Sequence, residues 1–420
     1  VTFERSPHPP LLGIAAERVA RPDGRLDPGV VWVDTELGTI ADVVRGEGWG
    51  PAGARPEDVP VHLVELGDRT LAPGFVDVHV HGGAGHQTNG DTATAVAESL
   101  AAVAAFHAQH GTTSLLATTV SDSPERLVAA VSGAAMAASR PPSGGARVIG
   151  VHVEGPFISP VRAGAQDPAW IRPPDRTELS RLLELGAGTV RIVTLAPELD
   201  GAGELITLCL EADAVVALGH SDADVDAAKK AFDAGATHAT HLFDAMAPFH
   251  HRHPGLATAA LLDERVTIEL ICDLHHVHPA AIELVARTAR GRIVLVTDAG
   301  PAAGLPPGRH VLGGRAVELA GTLVTLAADA SVLAGSALTM ERAVRHAVND
   351  AHVPLVDALA AASAVPAAIA RASDAPHGAK GAGSLEPGAA ADLVVLDATL
   401  EVVATLVAGS VVHDPGRLID

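Results

Sequence analysis

Two histidines two residues apart, His79 and His81, close the apolar run GFVDVHVH. Residues two apart on a strand point to one face, so both imidazoles can reach a single cation. His152-x-Glu154-Gly155-Pro156 closes a second run, Gly219-His220-Ser221 a third, and His238 with His241 lies on a fourth. Asp273 precedes His275-His276, and Asp298 closes the last run. Burying several imidazoles and carboxylates together is costly without a cation to organise them. Imidazole nitrogen and carboxylate oxygen suit a divalent metal. The pattern predicts a divalent metal centre where these run ends meet. Zinc is the first expectation, with Fe2+, Mn2+ and Co2+ also compatible. A carboxylated lysine bridging two metals is excluded, because Lys occurs only at 229, 230 and 380 and ends no strand. The carboxylate ligand must then be Glu154.

These residues need a scaffold that brings eight segment ends to one place. Eight apolar runs have strand character: Gly74–His81, Thr113–Val120, Val148–Gly155, Val190–Ala196, Ala214–His220, Thr237–Phe243, Thr267–Asp273 and Ile293–Ala299. They are rich in Val, Ile, Leu and Thr, as strands buried on both faces are. Helical spacing marks Thr92–His110, Pro124–Ser139, Thr177–Leu185, Asp224–Ala234 and Pro279–Arg290 between them. Alternating strands and helices predict a (β/α)8 barrel, whose site lies at the C-terminal strand ends. No Gly-x-Gly-x-x-Gly follows an early strand, which disfavours a dinucleotide-binding sheet. Before residue 70 and after residue 382 the pattern changes to short strands and Gly/Pro turns, as in Gly29–Asp34 and Val61–Leu66. The expected organisation is residues 1–70 and 382–420 forming one small β-sandwich domain beside a barrel at 71–381.

Composition narrows the partners. Lys plus Arg number 29 against 50 Asp plus Glu, a net charge of −21, which disfavours nucleic acid. No run of about 18 apolar residues predicts a membrane helix. The opening VTFERSPHPP has no apolar signal core. With only Cys209 and Cys272, no disulfide framework exists, and a reducing cytoplasm is the expected compartment.

At these residues the chain resembles the N-acetylglucosamine-6-phosphate deacetylase family of the amidohydrolase superfamily. The resemblance runs from Leu71 to about Asp397 through LAPGFVDVHVHGG, GVHVEGPFIS, TLAPE, GHSDA, THLFDAM, HPGL, HHVHP, VTDA, LAGSALTM and GSLEPGAAADLVVLD. The ordered set is far more specific than any one motif. It implies Glu154, His220 and His241 as principal metal ligands and Asp298 as catalytic acid and base. His79 and His81 match ligands of a second metal found in some members. His276 matches a substrate-binding histidine. Asp244 and Ala245 match a segment whose backbone contacts phosphate, and Arg252 an arginine that reaches the phosphate from a neighbouring subunit, which implies a homodimer. The implied substrate is an amino sugar phosphate.

Three positions depart from the family pattern. Gln166 stands where a histidine near the substrate carbonyl is usual; it can donate a hydrogen bond but cannot titrate. Asp244 stands where Asn is usual, and a carboxylate there repels phosphate unless protonated or turned away. Leu274 replaces a common Gly. The first two make a different or unphosphorylated N-acetyl sugar, or another N-acyl compound, the alternative substrate. A non-catalytic sugar-binding protein on the same scaffold is the alternative from another class.

Overall fold

The computed structural model describes residues 11–21, 23–45, 61–140, 144–372 and 380–419. The opening VTFERSPHPP lies outside the described residues. Eight parallel strands form the central sheet: β1 (Phe75–Val80), β2 (Thr112–Thr119), β3 (Arg147–Glu154), β4 (Val190–Leu195), β5 (Val215–Leu218), β6 (His238–Ala239), β7 (Thr267–Ile271) and β8 (Ile293–Val296). They pair in the sequential order β8-β7-β6-β5-β4-β3-β2-β1. The sheet closes past its last strand, where Asp298 N–H donates to the His79 carbonyl at 2.9 Å and His81 N–H to the Ala299 carbonyl at 3.0 Å. This is the expected (β/α)8 barrel, with every strand within a few residues of its predicted run.

The alternation VDVHVH explains how one strand serves both core and site. Val76 and Val78 join the large apolar cluster, and Val80 packs with Val103 and Ala108 of the first barrel helix. Asp77 and His79 occupy the other face, equally buried. β3 repeats this with Val151 and Val153 in the core and His152 and Glu154 opposite. A period of two thus sends apolar side chains to the helices and polar ones into the barrel.

The expected helices are α1 (Ala93–Ala108), α2 (Pro124–Ala138), α3 (Arg176–Gly186), α5 (Val225–Asp233) and α7 (Pro279–Thr288), and α4 (Ala202–Glu211) and α6 (Gly255–Leu262) join them. Thr92, Ser123, Asp175 and Asp224 cap four of them through side-chain oxygens on first-turn N–H groups. After β8 come α8 (Met340–Asn349), α9 (Leu355–Ala362) and α10 (Ala364–Ile369).

Strands from both chain ends meet in a second sheet. Its order is Ser410–His413, Val402–Val407, Leu393–Leu396, Thr70–Pro73, Leu11–Ala20, Leu26–Asp34 and Thr39–Arg45, with Val61–Glu65 also pairing Leu11–Ala20. The halves join where Thr70–Pro73 pairs antiparallel with Leu393–Leu396. Ile14, Val31 and Val33 of one half share an apolar cluster with Leu393, Val395 and Leu406 of the other. A buried ion pair between Arg147, at the start of β3, and Asp392 ties this sheet to the barrel.

One element was not anticipated. Between β8 and α8, four antiparallel strands (Gly308–Leu312, Arg315–Ala320, Leu323–Leu326 and Asp329–Leu333) form a separate small sheet. Its first hairpin turns on Gly313 and Gly314 at φ +54° and +85°, both in the left-handed region that such a two-residue turn requires. The Gly-Gly pair was the available signal. The strands are too short and half-exposed to announce themselves by hydrophobic periodicity.

Candidate active site

The site gathers at the C-terminal mouth of the barrel. His79 lies in β1, His81 just beyond it, and Glu154 is the last residue of β3. His220, His241 and Asp298 follow the ends of β5, β6 and β8 at φ +46°, +27° and +49°. Non-glycine residues rarely adopt this left-handed conformation, and such strain concentrates at functional sites. Three of the residues singled out by type therefore also carry backbone strain.

Their polar atoms converge. Glu154 Oε1 lies 3.2 Å from His220 Nε2, 3.0 Å from His241 Nε2 and 3.5 Å from His79 Nε2. Glu154 Oε2 lies 3.3 Å from His81 Nε2. Asp298 Oδ1 is 3.1 Å from His81 Nε2 and 3.5 Å from His79 Nε2. The two Nε2 atoms of His79 and His81 are 3.1 Å apart. All six residues are buried.

Hydrogen bonds on the far side of the rings decide what this cluster can hold. His81 Nδ1–H donates to the Thr118 carbonyl at 3.1 Å, and His220 Nδ1–H to the Arg162 carbonyl at 2.9 Å. His79 Nδ1–H donates to Glu269 Oε2 at 2.9 Å. A neutral imidazole has one N–H, so in three rings Nε2 is left as a lone pair facing the centre. Lone pairs meeting two carboxylates are mutually repulsive without a cation. The donor set, nitrogen and carboxylate oxygen with the outer nitrogens already satisfied, fits a divalent metal. Two overlapping groups have metal-ligand spacing here, His79–His81–Glu154 and Glu154–His220–His241.

Without an ion, protons take its place in the charge balance. Burial alone raises the Glu154 carboxyl, but His79, His220 and His241 outweigh it and hold Glu154 well below its usual range. Asp298 is likewise lowered, its burial outweighed by the hydrogen bond from His81 and the charge of His79. Burial lowers His81, but Asp298 and Glu154 more than offset it and bring it to about 9.

A lower layer supports this one. Glu269 of β7, His152 of β3 and His238 of β6 are fully buried beneath the ligands. His152 Nδ1–H donates to the Val78 carbonyl at 3.1 Å, and burial pushes this ring down to about 3, so it is neutral. Glu269 was missed in the sequence, although a lone carboxylate inside the strand TIELICD is itself a signal, since a buried charge needs partners.

A cavity of about 470 Å3 opens above the cluster. Gln166, Asp244, Ala245, His276 and Asp298 all line it. Gln166 Oε1 accepts the Ser121 N–H at 2.6 Å, and its Nε2–H donates to Glu154 Oε2 at 2.7 Å. It therefore steadies Glu154 with one amide hydrogen and keeps a second. His276 Nδ1 pairs with Asp273 Oδ2 at 2.8 Å; burial lowers the ring, but Asp273 more than compensates and raises it to about 9. Asp244 Oδ2 is shielded from solvent and has no hydrogen-bond partner among the described residues, and burial raises the carboxyl to about 6. Leu274 stands at φ +67°, a conformation that favours the Gly usual there. The small sheet roofs the cavity with Leu312, Val332 and Leu333. Its Arg315 donates from Nη1 to the carbonyls of Ala165 (3.0 Å) and Gln166 (3.1 Å), fixing the Gln166 loop. Arg252 is the one selected residue that stands apart. It lies on an exposed turn, donates from Nη1 to His251 Nε2 at 2.9 Å, and does not line the cavity of its own chain.

Comparison with known proteins points the same way. The amidohydrolase family model matches residues 70–412. An N-acetylgalactosamine-6-phosphate deacetylase of Escherichia coli O157:H7 is 38% identical over 372 residues, spanning 88% of this chain and 93% of that one. An N-acetylglucosamine-6-phosphate deacetylase of Mus musculus is 40% identical over 355 residues, 83% of this chain and 84% of that one. A solved N-acetyl-D-glucosamine-6-phosphate deacetylase of Mycobacterium smegmatis, in complex with N-acetyl-D-glucosamine-6-phosphate, superposes with a TM-score of 0.85 at 37% identity, covering 96% of this chain and 99% of that one. With the family's model matched across the barrel and a metal-competent His/Glu cluster at its mouth, the chain belongs to the amidohydrolase family.

Proposed function

We propose that the protein hydrolyses the acetamido group of N-acetyl-D-glucosamine 6-phosphate, releasing acetate and D-glucosamine 6-phosphate. The observation that carries this reading is Asp298, a carboxylate set against the His79–His81–Glu154 cluster on the cavity wall. Glu154, His220 and His241 would hold a divalent metal, zinc first, and His79 with His81 a second. Such a cation, when bound, polarises the acetyl carbonyl and lowers the pKa of water. Asp298 takes the proton of the attacking water and returns it to the leaving amine. The free N–H of Gln166 would hold the carbonyl, and His276 with the backbone of Asp244 and Ala245 would hold phosphate, a reading supported by all four lining the cavity. Arg252 would serve the cavity of a second copy, as its exposed turn beside the 63% exposed Phe249 favours. A homodimer in the cytoplasm, with the barrel at 71–381 and the paired terminal segments as a second domain, completes the proposal. Both cysteines are free and buried, in keeping with a reducing compartment.

A different sugar is the second reading. Asp244 brings to the cavity a carboxylate oxygen with no partner among the described residues, and a relative of similar identity is named for N-acetylgalactosamine 6-phosphate. One assay separates the readings: metal-reconstituted protein with N-acetylglucosamine 6-phosphate, its galacto epimer and unphosphorylated N-acetylglucosamine, following acetate. The first proposal expects the gluco phosphate to have the highest kcat/KM. Equal or greater kcat/KM for the epimer, or for the neutral sugar, replaces the substrate name and keeps the metal chemistry.

The His276 site adds a pH signature. Its folded-state pKa of about 9 exceeds the free imidazole value of about 6.5, so the ring is cationic through neutrality. The stabilisation from the Asp273–His276 pair is complete below about pH 6.5 and lost as pH rises through about 9. KM for the phosphorylated substrate is expected to rise in that upper window, with kcat less affected. In Asp273→Asn, which keeps the Oδ1 acceptor for the N–H groups of His275 and His276, the rise moves to lower pH. A KM profile identical in both proteins would refute the role of His276.

A further inference from the structure

Glu269 takes no part in the proposed chemistry, yet its surroundings are fully specified. It is 0% exposed, on β7 between the core residues Ile268 and Leu270. Its Oε2 accepts from His79 Nδ1–H at 2.9 Å and from the His241 backbone N–H at 3.1 Å, and its Oε1 accepts from His238 Nε2–H at 2.9 Å. An ionised carboxylate only accepts, so each facing group must be an N–H. In the neutral His79 ring this places the single proton on Nδ1 and leaves Nε2 as the lone pair beside His81 Nε2, 3.1 Å away. The His79 ring is also packed edge-on against His152 at 4.7 Å between centroids, which limits its reorientation. His79, His152 and Glu269 have metal-ligand spacing of their own, but every facing atom already has a partner: His152 Nε2 has the Thr194 hydroxyl at 2.7 Å, and Glu269 its three N–H donors. The group is a support and not a third metal site.

We propose that Glu269 is a positioning residue that commits His79 to metal binding, and that an ion on the His79–His81 half of the centre depends on it. The inference rests on reading the cluster as a divalent metal centre, and it is tested without substrate. Zn2+ and Co2+ binding to metal-stripped protein would be followed by calorimetry, metal analysis and the visible Co2+ spectrum. The parent protein should take two ions. Glu269→Leu removes the acceptor and should weaken the second ion about 100-fold, and the first much less. Glu269→Gln keeps an amide oxygen for His79 and the His241 N–H, with its NH2 toward His238, and should weaken the second ion only about tenfold. In a His79→Ala background Glu269→Gln should have no further effect on ion binding. If Glu269→Leu does not fold, the Glu269→Gln cycle decides alone. Parent-like second-ion affinity in either variant, equal loss of both ions, or a parent that takes one ion indifferent to His79→Ala would overturn the proposal. Acetate release by the parent is measured separately, so the failure of this inference is distinct from failure of the proposed reaction.

Discussion

Asp298→Asn is expected to lower kcat/KM for acetate release by about 10²–10⁴-fold, the range that general acid–base catalysis supplies. The substitution preserves shape and one acceptor oxygen. It removes the ability to accept a proton, and the amide cannot return one to the leaving nitrogen. In the protein, Asp298 Oδ1 lies 3.1 Å from His81 Nε2, at the junction of cavity and donor cluster. Its backbone N–H bonds the His79 carbonyl and its carbonyl accepts from the Ser336 N–H at 2.8 Å, so the main chain keeps its place in the variant. Substrate binding measured by calorimetry should persist, and metal content should stay near that of the parent. Turnover within threefold of the parent, with metal content equal, would remove Asp298 from the reaction. A loss of activity that follows loss of metal would reassign Asp298 as a ligand.

Stripping the metal is expected to abolish turnover and to lower thermal stability in the same preparation. The lone pairs of His79, His81 and His220 meet the carboxylates of Glu154 and Asp298 in a buried space. A cation bound to the folded state alone contributes about RT ln(1 + [L]/Kd), or about 4 kcal/mol at a thousandfold excess over Kd. Chelated protein should therefore unfold several degrees lower, and added Zn2+ should restore both Tm and acetate release. Mn2+, Fe2+ or Co2+ restoring more activity than Zn2+ would change the metal and leave the site intact. Full activity after exhaustive chelation, with metal analysis at zero, would refute the hydrolytic metal centre.

Much of this protein is written locally. The alternation in VDVHVH and VIGVHVEG reports both that a strand forms and which residues face away from the helices, because side-chain direction on a strand has a period of two. β-branched runs bounded by turns placed all eight barrel strands, and segment ends rich in His and Glu marked where chemistry belongs. The cluster of His79, His81, Glu154, His220, His241 and Asp298 is therefore legible in the sequence itself, from residue type and position at strand ends. What escaped was whatever depends on partners distant in sequence. Glu269 looked like one carboxylate in an apolar strand, and its partners His79, His238 and His241 lie 28 or more residues away. Gln166 was expected to face substrate; only the folded chain sets its amide on Glu154 and Ser121. The left-handed backbone at His220, His241 and Asp298 has no sequence mark, since local preference opposes it and tertiary contacts impose it. The four-stranded roof that supplies Arg315 and much of the cavity wall left only its Gly313-Gly314 turn as a mark, its strands being short and half-exposed. Sequence alone determined the repeating unit and the kinds of ligand, because both follow from nearest-neighbour stereochemistry and residue chemistry. Tertiary structure decided barrel closure, the tautomer of each histidine and the shape of the cavity. Those depend on hydrogen bonds between segments that only the completed fold brings within reach.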